Sequence, residues 1–255
     1  MIMKQFDLDK LHIAVFDTRK AMGDAAGHDA AEAIRKALSE KDTINVMFAA
    51  APSQNETLAA LLSEEGIAWN RINAFHMDEY VGLSENHPAG FRNFLKRAIF
   101  DKKPFKSVNL LNGNAEDPEK EAARYSQLLK DNPLDVCLLG IGENGHIAFN
   151  DPPVADFNDK TFVKIVELEQ RCREQQVHDG CFEKLEQVPT HALTVTIPGL
   201  VQAKAMFCSV PAATKAEAVY KLVNRDISEA CPCTILRRHE NAYFYADKDS
   251  GKDIL

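Results

Sequence analysis

Short apolar runs alternate with longer amphipathic ones from one end of the chain to the other. Ile13–Phe16 is compact and β-branched enough for a strand. Residues 18–38 carry Met22, Ala25, Ala26, Ala30, Ala33, Ile34 and Ala37 at helical spacing. Residues 44–50, apolar but for Asn45, read as a buried strand, and residues 56–65 return to helical periodicity. The same reading places a strand at 72–75, a charged surface helix at 116–131 and a central strand at 135–140. Further strands are expected at 162–166, 192–197 and 206–210, a helix at 214–223 and a last strand at 242–246. This alternation predicts an α/β fold with a doubly wound, largely parallel sheet flanked by helices. In such sheets ligands sit beyond the carboxyl ends of the strands, so the turns after Ala50, Phe75, Gly140 and Val210 are where chemistry is expected.

Length and charge narrow the picture. With 255 residues, 45% hydrophobic and 27% charged, the chain reads as one α/β domain spanning 1–255, with no linker or repeat. A net charge of −8 argues against nucleic acid or an anionic membrane as partner. No segment approaches the length and apolarity of a membrane span. The six cysteines are scattered, and Cys231-Pro232-Cys233 is too tight for a zinc knuckle. Reduced thiols in a cytoplasmic protein are expected, with no metal.

Three of the four strand ends carry reactive side chains. After the strand at 135–140 comes Gly140-Ile141-Gly142-Glu143-Asn144-Gly145-His146, with Asp151 following. Glycines let the backbone turn sharply and leave room for a ligand, which makes Gly142 and Gly145 candidate ligand positions. A histidine held there, oriented by Asp151, suits proton transfer near neutral pH. After Phe75 the adjacent acids Asp78 and Glu79 suggest one carboxylate facing solvent and one facing a pocket. A carboxylate in a partly dehydrated cleft is a base able to take a carbon-bound proton. His76 and His87 read as structural or surface residues. After Ala50, Pro52-Ser53-Gln54-Asn55 leads into a helix, where Ser53 or Asn55 would cap free N–H groups or those groups would hold an anion. After Val210, Lys215 sits in the first turn of the expected helix, where a positive charge is unfavourable unless an anion binds beside it.

Taken together, Met77–Leu83 with His87-Pro88, Leu110–Ala115, Gly140–Pro152, Val188–Thr194 and Thr214–Glu217 resemble the glucosamine-6-phosphate deaminase/isomerase family. The resemblance runs from about residue 13 to about residue 246. It implies a reaction that opens the ring of an amino-sugar phosphate and moves a proton from C2 to C1. A ketose phosphate (fructose 6-phosphate) and ammonia are then released by hydrolysis, without metal or organic cofactor. By the same resemblance Asp78 is the base at C2 and His146 the ring-opening acid/base, beside Asn144. Asp151 stands where the family has a glutamate that orients this histidine. Lys215 is one phosphate cation and Arg171 the nearest candidate for a second, with Ser53 and Gln54 in the phosphate loop. A lid-like segment falls at about 160–187. The family includes monomers and homo-oligomers, and the C-terminal residues do not choose between them.

The chain also departs from the family pattern. Pro52-Ser53-Gln54-Asn55 replaces a Gly-Gly-Thr turn, Asn144 replaces a frequent aspartate, and Asp151 is one methylene shorter than glutamate. Residues 175–182 are unlike the usual lid. Two rivals share the pattern: a 6-phosphogluconolactonase-type hydrolase, which has no need of a C2 base, and a non-catalytic sugar-phosphate sensor, which needs neither Asp78 nor His146. Tyr80 after Asp78-Glu79, and Asn150-Asp151 before Pro152, favour the deaminase side.

Overall fold

The computed structural model describes residues 1–255. Its strands are β1 (Ile2–Leu8), β2 (Leu11–Phe16), β3 (Ile44–Phe48), β4 (Ile72–His76), β5 (Asp78–Tyr80), β6 (Ser107–Asn109), β7 (Val136–Leu139), β8 (Val163–Glu167), β9 (His191–Val195), β10 (Ala205–Val210) and β11 (Ala242–Asp247). Its α-helices are α1 (Arg19–Glu40), α2 (Asn55–Ser63), α3 (Phe91–Leu95), α4 (Pro118–Asp131), α5 (Gln170–His178), α6 (Ile197–Val201) and α7 (Ala216–Asn224). Eight strands form one sheet in the order β1-β2-β11-β10-β7-β3-β4-β6. Only the β1–β2 pairing at its edge is antiparallel; the rest of the sheet is parallel, as the alternation predicts.

The central strands are buried on both faces, which explains their largely apolar sequences. In β7, Cys137 and Leu139 join one core cluster while Val136 and Leu138 join the other, on the opposite side of the sheet. In β3, Met47 faces the first cluster and Val46 and Phe48 the second. α1 covers the second side. Thr18 caps its N-terminus by accepting from the Ala21 N–H at 3.1 Å. Its small residues let α2 approach closely: a Cβ on Gly27 would stand 2.6 Å from Ala60 Cβ and 2.7 Å from the Thr57 carbonyl oxygen.

Two expected strands take a different place. The segments read at 162–166 and 192–197 do form β8 and β9, but they pair antiparallel with each other in a separate sheet of order β5-β9-β8. Ile197 already belongs to α6. The cause is a bend at Met77, whose carbonyl accepts from Val195 N–H at 2.7 Å as the chain leaves β4. That bend lifts Asp78–Tyr80 off the end of the parallel sheet and onto β9.

Gly27→Val should force α1 and α2 apart. We expect a loss of roughly 1–3 kcal/mol, read as a lower midpoint in urea unfolding with the same far-UV spectrum.

Candidate active site

β7 stops at Leu139, and the following turn is held by its own backbone. Gly142 N–H donates to the His146 carbonyl (2.9 Å) and Gly145 N–H to the Gly142 carbonyl (3.0 Å). Gly145 has φ +91°, a conformation that favours glycine. Gly142 lies under the imidazole of His146: a Cβ there would come within 2.1–2.4 Å of three ring atoms. Its lack of a side chain therefore makes room for the histidine. Gly145, expected to face a ligand, turns away from the cleft and packs against Cys231 and Cys233.

The His146 ring is fixed through one nitrogen. Nδ1 lies 2.8 Å from Asn144 Oδ1 and 2.9 Å from Asp151 Oδ1. Both are acceptors, so Nδ1 carries the proton and Nε2 is left free. The shorter Asp151 side chain thus reaches the histidine without difficulty. Asn144 is oriented from both ends. Its Oδ1 accepts from His146 N–H at 3.0 Å, and its Nδ2 donates to Asp151 Oδ1 (2.9 Å) and to the carboxylate of Glu169. A carboxylate at position 144 would face two others, which is why an amide fits here. Burial pushes the fully enclosed Asp151 carboxyl up. The charge of His146 and hydrogen bonds from His146, Asn144 and Glu169 N–H outweigh that, leaving it below the ordinary carboxylate value.

Asp78 is in the opposite condition. Its carboxylate is 7% exposed and forms no hydrogen bond or ion pair with the protein, although it lines the same cleft as His146. Burial, with the neighbouring charge of Glu79, raises it well above the usual range. Glu79 does not face solvent as the sequence suggested. It is buried and accepts the N–H groups of Tyr80, Phe91 and Arg92, serving as the N-terminal cap of α3. His76 is structural: its Nε2 accepts from Leu111 N–H at 2.8 Å, and burial holds the ring neutral, down to about 3.

Of the residues expected to meet an anion, those that line the cleft follow two strand ends, β3 and β10. Lys215 closes a 3₁₀ turn just before α7, one residue short of the α-helix in which it was expected. Its side chain is 4% exposed and makes no hydrogen bond or ion pair; burial lowers its pKa, while Asp179 and Glu143 act to raise it. Ala212, with φ +82°, begins that turn and is held by donating its N–H to both oxygens of Asp247 (3.2 and 3.1 Å). Such a conformation costs of order 1–3 kcal/mol outside glycine and persists only where neighbours impose it. Ser53 and Gln54 also line the cleft, but neither Ser53 nor Asn55 caps α2. Gln54 instead reaches across Gly140, where a Cβ would come 2.8 Å from its Nε2, and donates to the Ser209 carbonyl at 3.2 Å. Arg171 does not line the cleft; its guanidinium pairs with Glu217 at 2.6 Å near the surface.

Gln175 and Gln176 of α5 complete the wall, together with Phe91 and Phe149. Gln175 accepts from Glu143 N–H (2.8 Å) and Gln176 from the Tyr80 hydroxyl (2.9 Å). The sequence reading missed both glutamines and Glu169. The cavity volume of the cleft is about 60 Å³. His146, Asp151 and Cys172 bring potential metal-binding atoms within 4.8 Å of one another. The Asp151 and His146 atoms concerned are already hydrogen-bonded, so the arrangement suits an oriented imidazole.

The raised Asp78 makes a prediction about stability. An acid harder to ionise in the fold than in the unfolded chain destabilises the native state once pH exceeds the unfolded value, about 3.9. Every tenfold weakening of the acid corresponds to about 1.4 kcal/mol. Asp78→Asn should therefore melt above the wild type at pH 7, with the difference closing below about pH 4. Equal melting temperatures at both pH values would show that Asp78 is solvated.

Comparison with known proteins places these features. A family model described as glucosamine-6-phosphate isomerases/6-phosphogluconolactonase matches residues 17–244. Proteins named glucosamine-6-phosphate deaminase from Bacillus cereus (strain B4264) and Bacillus thuringiensis (strain Al Hakam) are 35% and 36% identical over 240 residues, covering 94% of this chain and 88% of theirs. A solved monomeric glucosamine-6-phosphate deaminase superposes with a TM-score of 0.85 at 28% identity, covering 96% of this chain and 99% of that one. A 6-phosphogluconolactonase from Thermotoga maritima shares the fold, with a TM-score of 0.74 at 19% identity over 94% of this chain and all of that one. With its strand-end cleft and a model match across most of its length, the chain belongs to the glucosamine-6-phosphate isomerase/6-phosphogluconolactonase family.

Proposed function

We propose that the protein is a glucosamine-6-phosphate deaminase, converting an amino-sugar 6-phosphate and water into fructose 6-phosphate and ammonia. The observation that carries this reading is the pairing, in one cleft, of two proton carriers in opposite conditions. Asp78 is an unpartnered carboxylate and therefore a strengthened base, and His146 is an oriented imidazole with Nε2 free. Lactone hydrolysis has use for a histidine that activates water and none for a second, dehydrated base.

In this reading His146 moves a proton between O1 and the ring oxygen, opening the pyranose. Asp78 takes the proton from C2 and returns it to C1, which leaves an imine at C2. Water adds there and ammonia departs. The buried Lys215 ammonium, without a protein counter-ion, takes the phosphate, assisted by Ser53. Gln54 holds the 52–54 turn against Ser209. The segment at about 160–187 covers the cleft through Gln175 and Gln176. Six free thiols suit a reducing, cytoplasmic setting.

The test is ammonia release with glucosamine-6-phosphate and galactosamine-6-phosphate in parallel. Release from either, reduced about 10²–10⁴-fold in Asp78→Asn, is the expected result and also names the epimer. Folded protein silent with both would overturn the assignment. Because Asp78 must be ionised to act, kcat should fall as pH drops through a value above the ordinary carboxylate range. Lys215→Ala should raise KM about 10- to 100-fold with a smaller effect on kcat. An unchanged KM would remove Lys215 from the phosphate seat.

A further inference from the structure

The mechanism leaves unused a pair of thiols directly behind the histidine turn. Cys231 and Cys233 are both buried, and their sulfurs lie 3.5 Å apart. The segment holding them is pinned: Cys231 N–H donates to the Ser228 carbonyl (3.0 Å), and the Thr234 hydroxyl donates to the Cys231 carbonyl (2.7 Å). Cys231 Sγ occupies the space a side chain at Gly145 would need, 2.8 Å from where a Cβ would stand, with Cys233 Sγ farther off at 3.6 Å. Cys233 N–H also donates to the Gly145 carbonyl at 2.9 Å. The next residue is His146.

We propose that Cys231 and Cys233 are a site of reversible oxidation, closed to a disulfide by peroxides, and that closure displaces His146 through Gly145. Oxidation begins with Cys231, whose thiol is lowered by the hydrogen bond from Cys233 and whose neighbour Lys221 is cationic. Its thiolate attacks one peroxide oxygen, breaking the O–O bond and forming a sulfenic acid while the other oxygen leaves as hydroxide or alkoxide. Cys233 sulfur then attacks the Cys231 sulfur and releases hydroxide, which takes up the Cys233 proton. In sum, two thiols and one peroxide give one disulfide, one water and one water or alcohol. Bonding brings the sulfurs from 3.5 Å to about 2.05 Å. Cys233 is hydrogen-bonded to the Gly145 carbonyl, so movement of the cysteine segment is passed to the backbone that carries His146.

The experiment treats the purified protein with hydrogen peroxide. It reads the Cys231–Cys233 linkage by peptide mass mapping, the His146 ring resonances by NMR, and ammonia release. The expected result is a linkage that forms together with a shift of the His146 resonances and an activity loss of at least tenfold. Dithiothreitol should reverse all three, and Cys231→Ser and Cys233→Ser should show none of them on oxidation. The NMR arm stands whether or not the protein releases ammonia, so failure of the deaminase reading is separable from failure of this one. A complete linkage with unmoved His146 resonances overturns the coupling. Absence of the linkage, or equal peroxide sensitivity in Cys231→Ser, overturns the site. Wild-type mapping decides the matter if a serine variant does not fold.

Discussion

Between β3 and β7 the chain reverses the direction in which it adds strands. From β3 it proceeds outward through β4 and β6, and from β7 it proceeds the other way through β10 and β11. Connections leaving two adjacent parallel strands in opposite directions cannot cover the ends of both, and a crevice results. Each functional group is placed with respect to that crevice. The turn after β7 brings His146, the turn after β3 brings Ser53 and Gln54, the chain leaving β4 brings Asp78, and the turn after β10 brings Lys215. Gln175 and Gln176 of α5, with Phe91 and Phe149, complete the wall around these groups.

Dehydration acts on the two central acids with opposite results because their partners differ. Asp151 has His146, Asn144 and a backbone N–H, and it remains an anion that holds the imidazole. Asp78 has no partner and becomes a stronger base. The same contrast holds for the cations: Arg171 is satisfied by Glu217, whereas Lys215 waits without a counter-ion. Groups left unsatisfied by the protein mark where a substrate would supply what is missing, and the fold carries their cost through the extensive cores on the two sides of the sheet.

The sequence announced the parallel sheet well, since strands buried on both faces leave long apolar runs. It announced short and half-exposed strands poorly. β5 and β6 have three residues each, too few for any period to show, and the residues of β1 are mostly exposed at the sheet edge. Which sheet a strand joins was also illegible: β8 and β9 have ordinary strand sequences, and only the bend at Met77 diverts them. The reactive residues Asp78, His146, Asp151 and Lys215 stood out because each follows a strand end. Glu169, Gln175 and Gln176 did not, because they lie on and beside a polar helix with no apolar stripe to mark its inner face. Arg171, expected by resemblance to be the second phosphate cation, pairs with Glu217 and does not line the cleft.

The double duty of Asn144 restricts how this chain can change. Its amide donates to Asp151 and Glu169 while its oxygen serves His146. Aspartate, the residue more usual at that position by resemblance, cannot enter while Glu169 remains, because three carboxylates would then converge beside one imidazole. Removing the Glu169 side chain would cost the Asn144 amide one of its two acceptors, Asp151 being the other. Positions 144 and 169 therefore form an epistatic pair, and any path between this active site and one built on aspartate must change position 169 at or before the step that changes position 144.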